Sequence, residues 1–360
     1  MNIHNNKSFN VMTQFILIGI VCILNLTACE KKPSGEDPNV PKKTYFKNPI
    51  RDNGADPWML KHEGKYYMSE SDGNQAINIL ESKTITGFKS AVSTTVCNFG
   101  LGDYLSKNNV WGPHLNYIKG SWYIYYAAQS KVDANFESQR MWVLKSKTSS
   151  PYGPYEDMGE VIGSNDKEWA IDGSVVERSN GDLYFVWSGI ANLSNLNQAT
   201  YIAKMTSPTR VDRSTIVQIS FPTYSWETSV RPIQEGQRPL YVDKNGKTII
   251  MFSANASWTD EYCLGSLTNT DGNFLNKDSW LKSAEPLFKK TASVFGPGGA
   301  SYVKSPDDAE DWIIYHAAKK QGSGWDRWIR AQKFSWKTTG DPFFGEPVGE
   351  GVQIVVPSGE

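Results

Sequence analysis

The sequence has 360 residues, with 37 Lys and Arg against 38 Asp and Glu, a formal charge of −1, 39 % hydrophobic and 21 % charged residues. This is an ordinary globular composition; it excludes a polyelectrolyte or disordered chain, and without a basic block it argues against a nucleic-acid partner. The 13 Trp, 17 Tyr and 15 Phe make 12 % of the chain, and with 30 Gly and 18 Pro they point to many short strands joined by tight turns.

At the N-terminus, Lys7 precedes an apolar run over 15–24, and Leu26-Thr27-Ala28-Cys29 follows it. A basic start, about ten apolar residues and a small-residue site read as a secretory signal over 1–28. The run is shorter than the about 20 residues a membrane span needs. The Leu-Thr-Ala-Cys string resembles the lipobox of bacterial lipoproteins. That resemblance implies a lipid on Cys29 and an exported chain held on the outer or plasma membrane, in the periplasm or at the cell surface. Residues 29–44 are polar and read as a flexible tether. Beyond them only Cys97 and Cys263 remain. Two cysteines make no disulfide framework, so both are expected as buried free thiols. Metal-type Cys/His spacing is missing from the sequence.

From residue 45 onward one plan recurs five times: a turn signal, an apolar strand, a turn, and an aromatic strand. The turns fall at Glu63-Gly64, Lys119-Gly120, Asn180-Gly181, Asn245-Gly246 and Asp307-Asp308. Such turns between apolar runs are hairpin signals. One aromatic residue per unit, Tyr67, Tyr125, Phe185, Phe252 and Tyr315, gives spacings of 58, 60, 67 and 63 residues. Third strands follow at 79–84, 143–148 and 265–268. Four strands per unit, repeated radially, predict an all-β fold: a five-bladed β-propeller with four-stranded antiparallel blades around a central axis, filling 45–360 as one domain. An open sandwich of regular short strands is the alternative.

The first strand of each blade lies nearest the axis, so residues opening those strands converge at one end of the channel. Three of the five openings are acidic: Asp56, Asp172 and Glu235. Singly, each sits in ordinary turn chemistry. Three carboxylates crowded on one axis raise one another's pKa, which marks a functional site. Glycoside hydrolysis uses such a group, with one carboxylate as base and one carboxylic acid protonating the leaving oxygen. Trp58, Trp111 and Trp169 stand beside the acids in sequence, and flat aromatic faces suit sugar rings.

These residues bring the chain to a known family. Ala55-Asp56-Pro57-Trp58, Trp111-Gly112-Pro113-His114-Leu115, Ala170-Ile171-Asp172-Gly173-Ser174 and Gln234-Glu235-Gly236 resemble, in order, the motifs of glycoside hydrolase family 43. The stretches 257–265 and 303–316 are similar to its exo-α-L-arabinofuranosidase members. The resemblance implies Asp56 as general base, Glu235 as general acid and Asp172 as the residue that orients the acid and tunes its pKa. His316 and Arg330 match family positions and are read with Trp58 and Trp111 as substrate-binding residues; the alternatives are a satisfied core histidine at 316 and packing between blades for the tryptophans. Arg327 offers a second donor, with a surface salt bridge as its plain alternative. Two departures stand out. Gln237 replaces the Pro usual after Glu-Gly. Gly296-Pro297-Gly298-Gly299 replaces a Gly-Pro-Gly-His motif whose His helps hold an axial metal or water cluster; no cofactor is expected to be required, and an axial calcium, which the resemblance would allow, is put in doubt.

The expectation is an inverting exo-glycosidase that releases a pentose, α-L-arabinofuranose first, from plant polysaccharide or oligosaccharide, acting as a monomer. The alternatives are a β-xylosidase of the same family, or a carbohydrate-binding lipoprotein with a dead site.

Overall fold

The computed structural model describes residues 43–106, 108–133, 135–163, 169–190 and 192–360. The signal segment, Cys29 and all of the tether before Lys43 lie outside the described residues.

Each predicted turn closes a hairpin whose first strand is the innermost of a sheet. Ahead of the first hairpin lies β1 (Tyr45–Phe46). Blade one holds β2 (Trp58–His62), β3 (Lys65–Ser71), β4 (Ala76–Ser82) and β5 (Thr94–Asn98). Blade two holds β6 (Trp111–Ile118), β7 (Ser121–Gln129), β8 (Gln139–Ser146) and β9 (Tyr155–Glu160). Blade three holds β10 (Ala170–Glu177), β11 (Leu183–Ile190) and β12 (Gln198–Ser207), with two short strands, β13 (Arg210–Val211) and β14 (Val217–Ser220), both paired to β12. Blade four holds β15 (Gln234–Lys244), β16 (Lys247–Ala254), β17 (Cys263–Asn269) and β18 (Trp280–Lys282). Blade five holds β19 (Phe295–Lys304), β20 (Asp311–Ala318), β21 (Arg327–Trp336) and β22 (Pro342–Phe343). Every pairing within the blades is antiparallel. Blade three therefore departs from the expected four strands by one short extra edge strand.

The inner strands touch in a ring: β2 meets β6, β6 meets β10, β10 meets β15, β15 meets β19, and β19 returns to β2. This closure makes the fold a five-bladed propeller and rules out the open sandwich. The first and last strands of the propeller are tied: β23 (Ile354–Val355) pairs antiparallel with β1.

The aromatic second strands are packed on both faces. Successive side chains on a strand point to opposite faces. In β7, Tyr123, Tyr125 and Ala127 pack toward blade three, while Ile124, Tyr126 and Ala128 pack toward blade one. In β16, Ile249 and Met251 face blade five, while Ile250 and Phe252 face blade three. Five apolar clusters result, one at each interface between adjacent blades. A strand buried on both faces reads as a continuous apolar run without alternation.

The aromatic spacing gives the period of the fold but not the face. Tyr67 and Tyr125 pack toward the following blade, and Phe185, Phe252 and Tyr315 pack toward the preceding one. A shift of one residue reverses the face of a strand. Cys97 and Cys263 are buried free thiols in two different interface clusters, as expected. No helix among the described residues is long and apolar enough to cross a membrane.

Candidate active site

The inner strands do not run straight to the end of the axis. The ladders slip between Trp111 and His114, between Ile171 and Ser174, between Glu235 and Arg238, and twice between Phe295 and Ser301. Each slip is a β-bulge, and the bulged residues carry positive φ: Gly112 at 47°, Asp172 at 56°, Gly236 at 65° and Gly299 at 55°. Asp56, just ahead of β2, has φ 46°. Bulges kink a strand and re-aim its side chains, here toward the axis. Asp tolerates the left-handed region better than most non-glycine residues. Blade four puts glycine there and its acid one residue earlier.

These kinks open one cavity of about 690 Å³ whose lining includes Asp56, Trp111, Asp172, Glu235 and Arg327, one from each blade. Leu196 and Arg231 line it as well, and the exposed Phe136, Trp258 and Trp325 mark its mouth. Trp258 and Trp325 are exposed and stand edge to face, their ring centroids 5.9 Å apart.

The three acids differ in environment. Asp56 is the wettest, its side chain 33 % exposed. Its backbone N–H donates to His316 Nδ1 at 3.0 Å. Glu235 is 8 % exposed, and its Oε1 accepts the Tyr262 hydroxyl at 2.9 Å. Burial, then the Asp172 charge, pushes Glu235 up to about 8; the Tyr262 hydroxyl and Arg327 oppose this. Asp172 is equally buried, and its Oδ2 accepts the Gly236 N–H at 2.8 Å. Burial and Asp56 raise it to about 6, while Arg238, the Gly236 N–H and Arg327 pull it down. The Gly236 N–H ties Asp172 to the residue next to Glu235, which fixes the two carboxyls relative to each other. A carboxylic acid, a partner that orients it and a wetter carboxylate thus share one cavity. This set can protonate a leaving oxygen and activate water.

The chain matches the profile described as Glycosyl hydrolases family 43 over residues 46–342. The chain belongs to that family. It is 32 % identical over 322 residues to an extracellular exo-α-(1→5)-L-arabinofuranosidase of Streptomyces avermitilis, covering 86 % of this chain and 65 % of that protein. It is 32 % identical to the α-L-arabinofuranosidase 43 of Humicola insolens, covering 82 % of this chain and 62 % of that protein. The chain therefore spans less than two thirds of the length of these two relatives. The α-L-arabinofuranosidase structure from Lactobacillus brevis superimposes with a TM-score of 0.76 at 28 % identity, over 85 % of this chain and 98 % of that one.

The remaining family motif positions are placed unevenly. Trp111 lines the cavity. Trp58 is 8 % exposed and lies below the cavity lining: it stacks on His114 at 4.3 Å and donates its Nε1–H to the Leu115 carbonyl at 2.6 Å. His316 is sealed beneath Asp56 and stacked against Tyr262 at 5.6 Å, so it supports the acids from behind. Arg330 is 1 % exposed within blade five, and its Nη2 donates to the Val348 carbonyl at 2.7 Å. On β21, three residues earlier, Arg327 reaches the cavity instead, held by the Ser257 carbonyl and lying 5.9 Å over the Tyr262 ring. The surface salt-bridge reading of Arg327 does not apply. Trp169 both lines the cavity and packs in the interface of blades two and three.

Sequence reasoning assigned no role to Tyr262, Arg238, Phe136 or Trp325. Tyr262 lies within the quoted stretch 257–265, but nothing local says that its hydroxyl meets Glu235. Arg238 leaves one trace, a charge inside an inner strand.

Proposed function

We propose that this chain is an inverting exo-glycosidase that removes a terminal pentose, α-L-arabinofuranose first, from an arabinose-containing oligosaccharide or polysaccharide. The observation that carries the reading is Glu235: a carboxyl kept protonated by burial, in the same cavity as the wetter Asp56. Glu235 donates its proton to the glycosidic oxygen as the bond breaks. Asp56 takes a proton from the water that attacks the anomeric carbon from the opposite face. Asp172 holds the Gly236 end of the acid strand and adds the negative charge that keeps the Glu235 proton in place.

The names of the two relatives favour arabinofuranose. A cavity floored by the propeller axis suits a single chain-end sugar, which favours exo action. The Trp258 and Trp325 indoles at the mouth supply apolar faces for the next sugar. A binding lipoprotein has no use for a carboxyl held protonated against a second carboxylate, so the enzyme reading is preferred. Export as a monomeric lipoprotein through Cys29 belongs to the same proposal, and globomycin-sensitive labelling of the full chain with a palmitate analogue checks it.

Purified protein is assayed on nitrophenyl α-L-arabinofuranoside and nitrophenyl β-D-xyloside, with the anomer of the first product followed by NMR. Rapid release of β-L-arabinofuranose from the arabinoside supports the proposal. Preference for the xyloside moves the reading to β-xylosidase. Inactivity on both, with retained oligosaccharide binding, refutes the enzyme.

A further inference from the structure

The family resemblance places a metal or water cluster on the axis, and the residues there decide whether a metal fits. At position 299, an added Cβ would lie 2.5 Å from His316 Cε1 and 2.8 Å from Asp56 Oδ1. His316 therefore occupies the space a side chain at 299 would need. Its Nδ1 accepts the Asp56 N–H at 3.0 Å, so in the neutral ring Nε2 carries the proton and is a donor, unfit to ligate. Burial, then Arg327 and Arg238, holds this ring neutral.

The axis already contains a cation. Arg238 is 1 % exposed on the inner strand β15. Its guanidinium lies 5.2 Å over the Trp58 ring of blade one. Its Nη1 donates to the Gln237 carbonyl at 3.0 Å and the Asp172 carbonyl at 3.4 Å. Its Nε and Nη2 have no partner among the described residues. Its charge is felt by Asp172 and Asp56 from the acid side, by Tyr262 and Tyr302 beside it, and by His114 and His316 on the flanking strands. A divalent ion brought into this low-dielectric interior would meet a fixed positive charge and a ring N–H. His114 Nε2 is the one imidazole nitrogen there left as an acceptor, a lone ligand beside that charge, and no group of three or more metal-type side chains stands among the described residues, so the residues present do not fit a metal.

We propose that the Arg238 guanidinium is the axial cation of this protein, doing with a side chain what the family resemblance assigns to a bound ion, and that the axis binds no divalent metal. Arg238 acts through Asp172 and is a positioning residue. It favours the ionised form of Asp172, which faces Asp56 of blade one, Glu235 and the Gly236 N–H of blade four, and Arg327 of blade five. The same proposal assigns ordered water to the unpartnered N–H groups of Arg238 and His316 and to His114 Nε2. That atom is an acceptor because His114 Nδ1 meets the Gly173 carbonyl at 2.9 Å.

The test uses the full chain, treated with EDTA, then incubated with excess calcium or manganese chloride and desalted. Mass-spectrometric metal content well below one ion per chain is expected, with a melting temperature unchanged between calcium and EDTA. One ion per chain, or a rise in melting temperature with calcium, overturns the proposal. Arg238→Met is expected to lower kcat more than it changes KM and to move the acid limb of kcat/KM to higher pH. Arg238→Lys keeps the charge and should keep the limb near its wild-type place. An Arg238→Met limb that coincides with wild type overturns the positioning role. Should Arg238→Met fail to fold, the metal content and the Arg238→Lys profile decide, and a limb displaced in Arg238→Lys counts against the proposal.

Discussion

Glu235 and Asp172 have opposite requirements in the proposed reaction. Glu235 must hold its proton and is pushed up to about 8, whereas Asp172 must be ionised and is raised only to about 6. The active form therefore exists between these values, and kcat/KM is expected to be bell-shaped with limbs near them, read from a pH series on the nitrophenyl arabinoside. Removing the Tyr262 hydroxyl takes a donor from the Glu235 carboxylate. Tyr262→Phe should move the basic limb to higher pH, and an unmoved limb would show that the 2.9 Å contact does not tune the acid. Glu235→Gln should lower kcat by about 10²- to 10⁴-fold, with a smaller loss on leaving groups that need no proton. The same raised pKa has a stability consequence. As pH rises from 4.5 toward about 8, the unfolded chain sheds the Glu235 proton while the folded chain keeps it, so folding is progressively disfavoured. Glu235→Gln is therefore expected to melt higher than wild type near pH 8 and alike below about pH 4.5, measured by differential scanning fluorimetry.

The bulged inner strand is the element that makes the site. Without the slips, alternation along the strand would turn successive side chains toward the two neighbouring blades, not toward the axis. Gly299 shows how little room the bulges leave, since its missing Cβ would press on both His316 and Asp56. Gly299→Ala is expected to lose most of kcat on the nitrophenyl arabinoside while the protein still folds, because the displaced groups hold Asp56. The rim loops act on a different part of the substrate. Trp258 and Trp325 sit at the mouth, away from the acids, so the double change to Ala should raise KM for arabino-oligosaccharides and leave kcat on the nitrophenyl arabinoside nearly unchanged. An equal loss on both substrates would place the indoles over the cleaved sugar. The same scale explains why the aromatic spacing was only half informative. Hairpin turns keep the period, but a one-residue offset within a strand sends Phe185 to the opposite interface from Tyr125's equivalent.

For the whole molecule, five apolar interfaces close a ring, the largest between blades two and three, and the ring is finished by the two ends of the propeller. β1 pairs with β23, and the Glu360 carboxylate accepts the Ile85 N–H of blade one at 2.6 Å. Deleting 354–360 should lower the melting temperature and sharpen proteolysis at 43–48, because the last blade loses its tie to the first. The sequence by itself determined the fold class, the blade period, the three acids and the buried thiols. Each is written locally, in turn residues, apolar runs and short motifs. Only the tertiary structure decided which Arg meets the cavity, that Trp58 lies beneath it, that Tyr262 reaches Glu235, and that Arg238 stands on the axis. The physical reason is that these facts depend on bulge register and on the meeting of strands from different blades. A displacement of one residue there exchanges a buried face for a cavity wall while leaving the local pattern of the sequence unchanged.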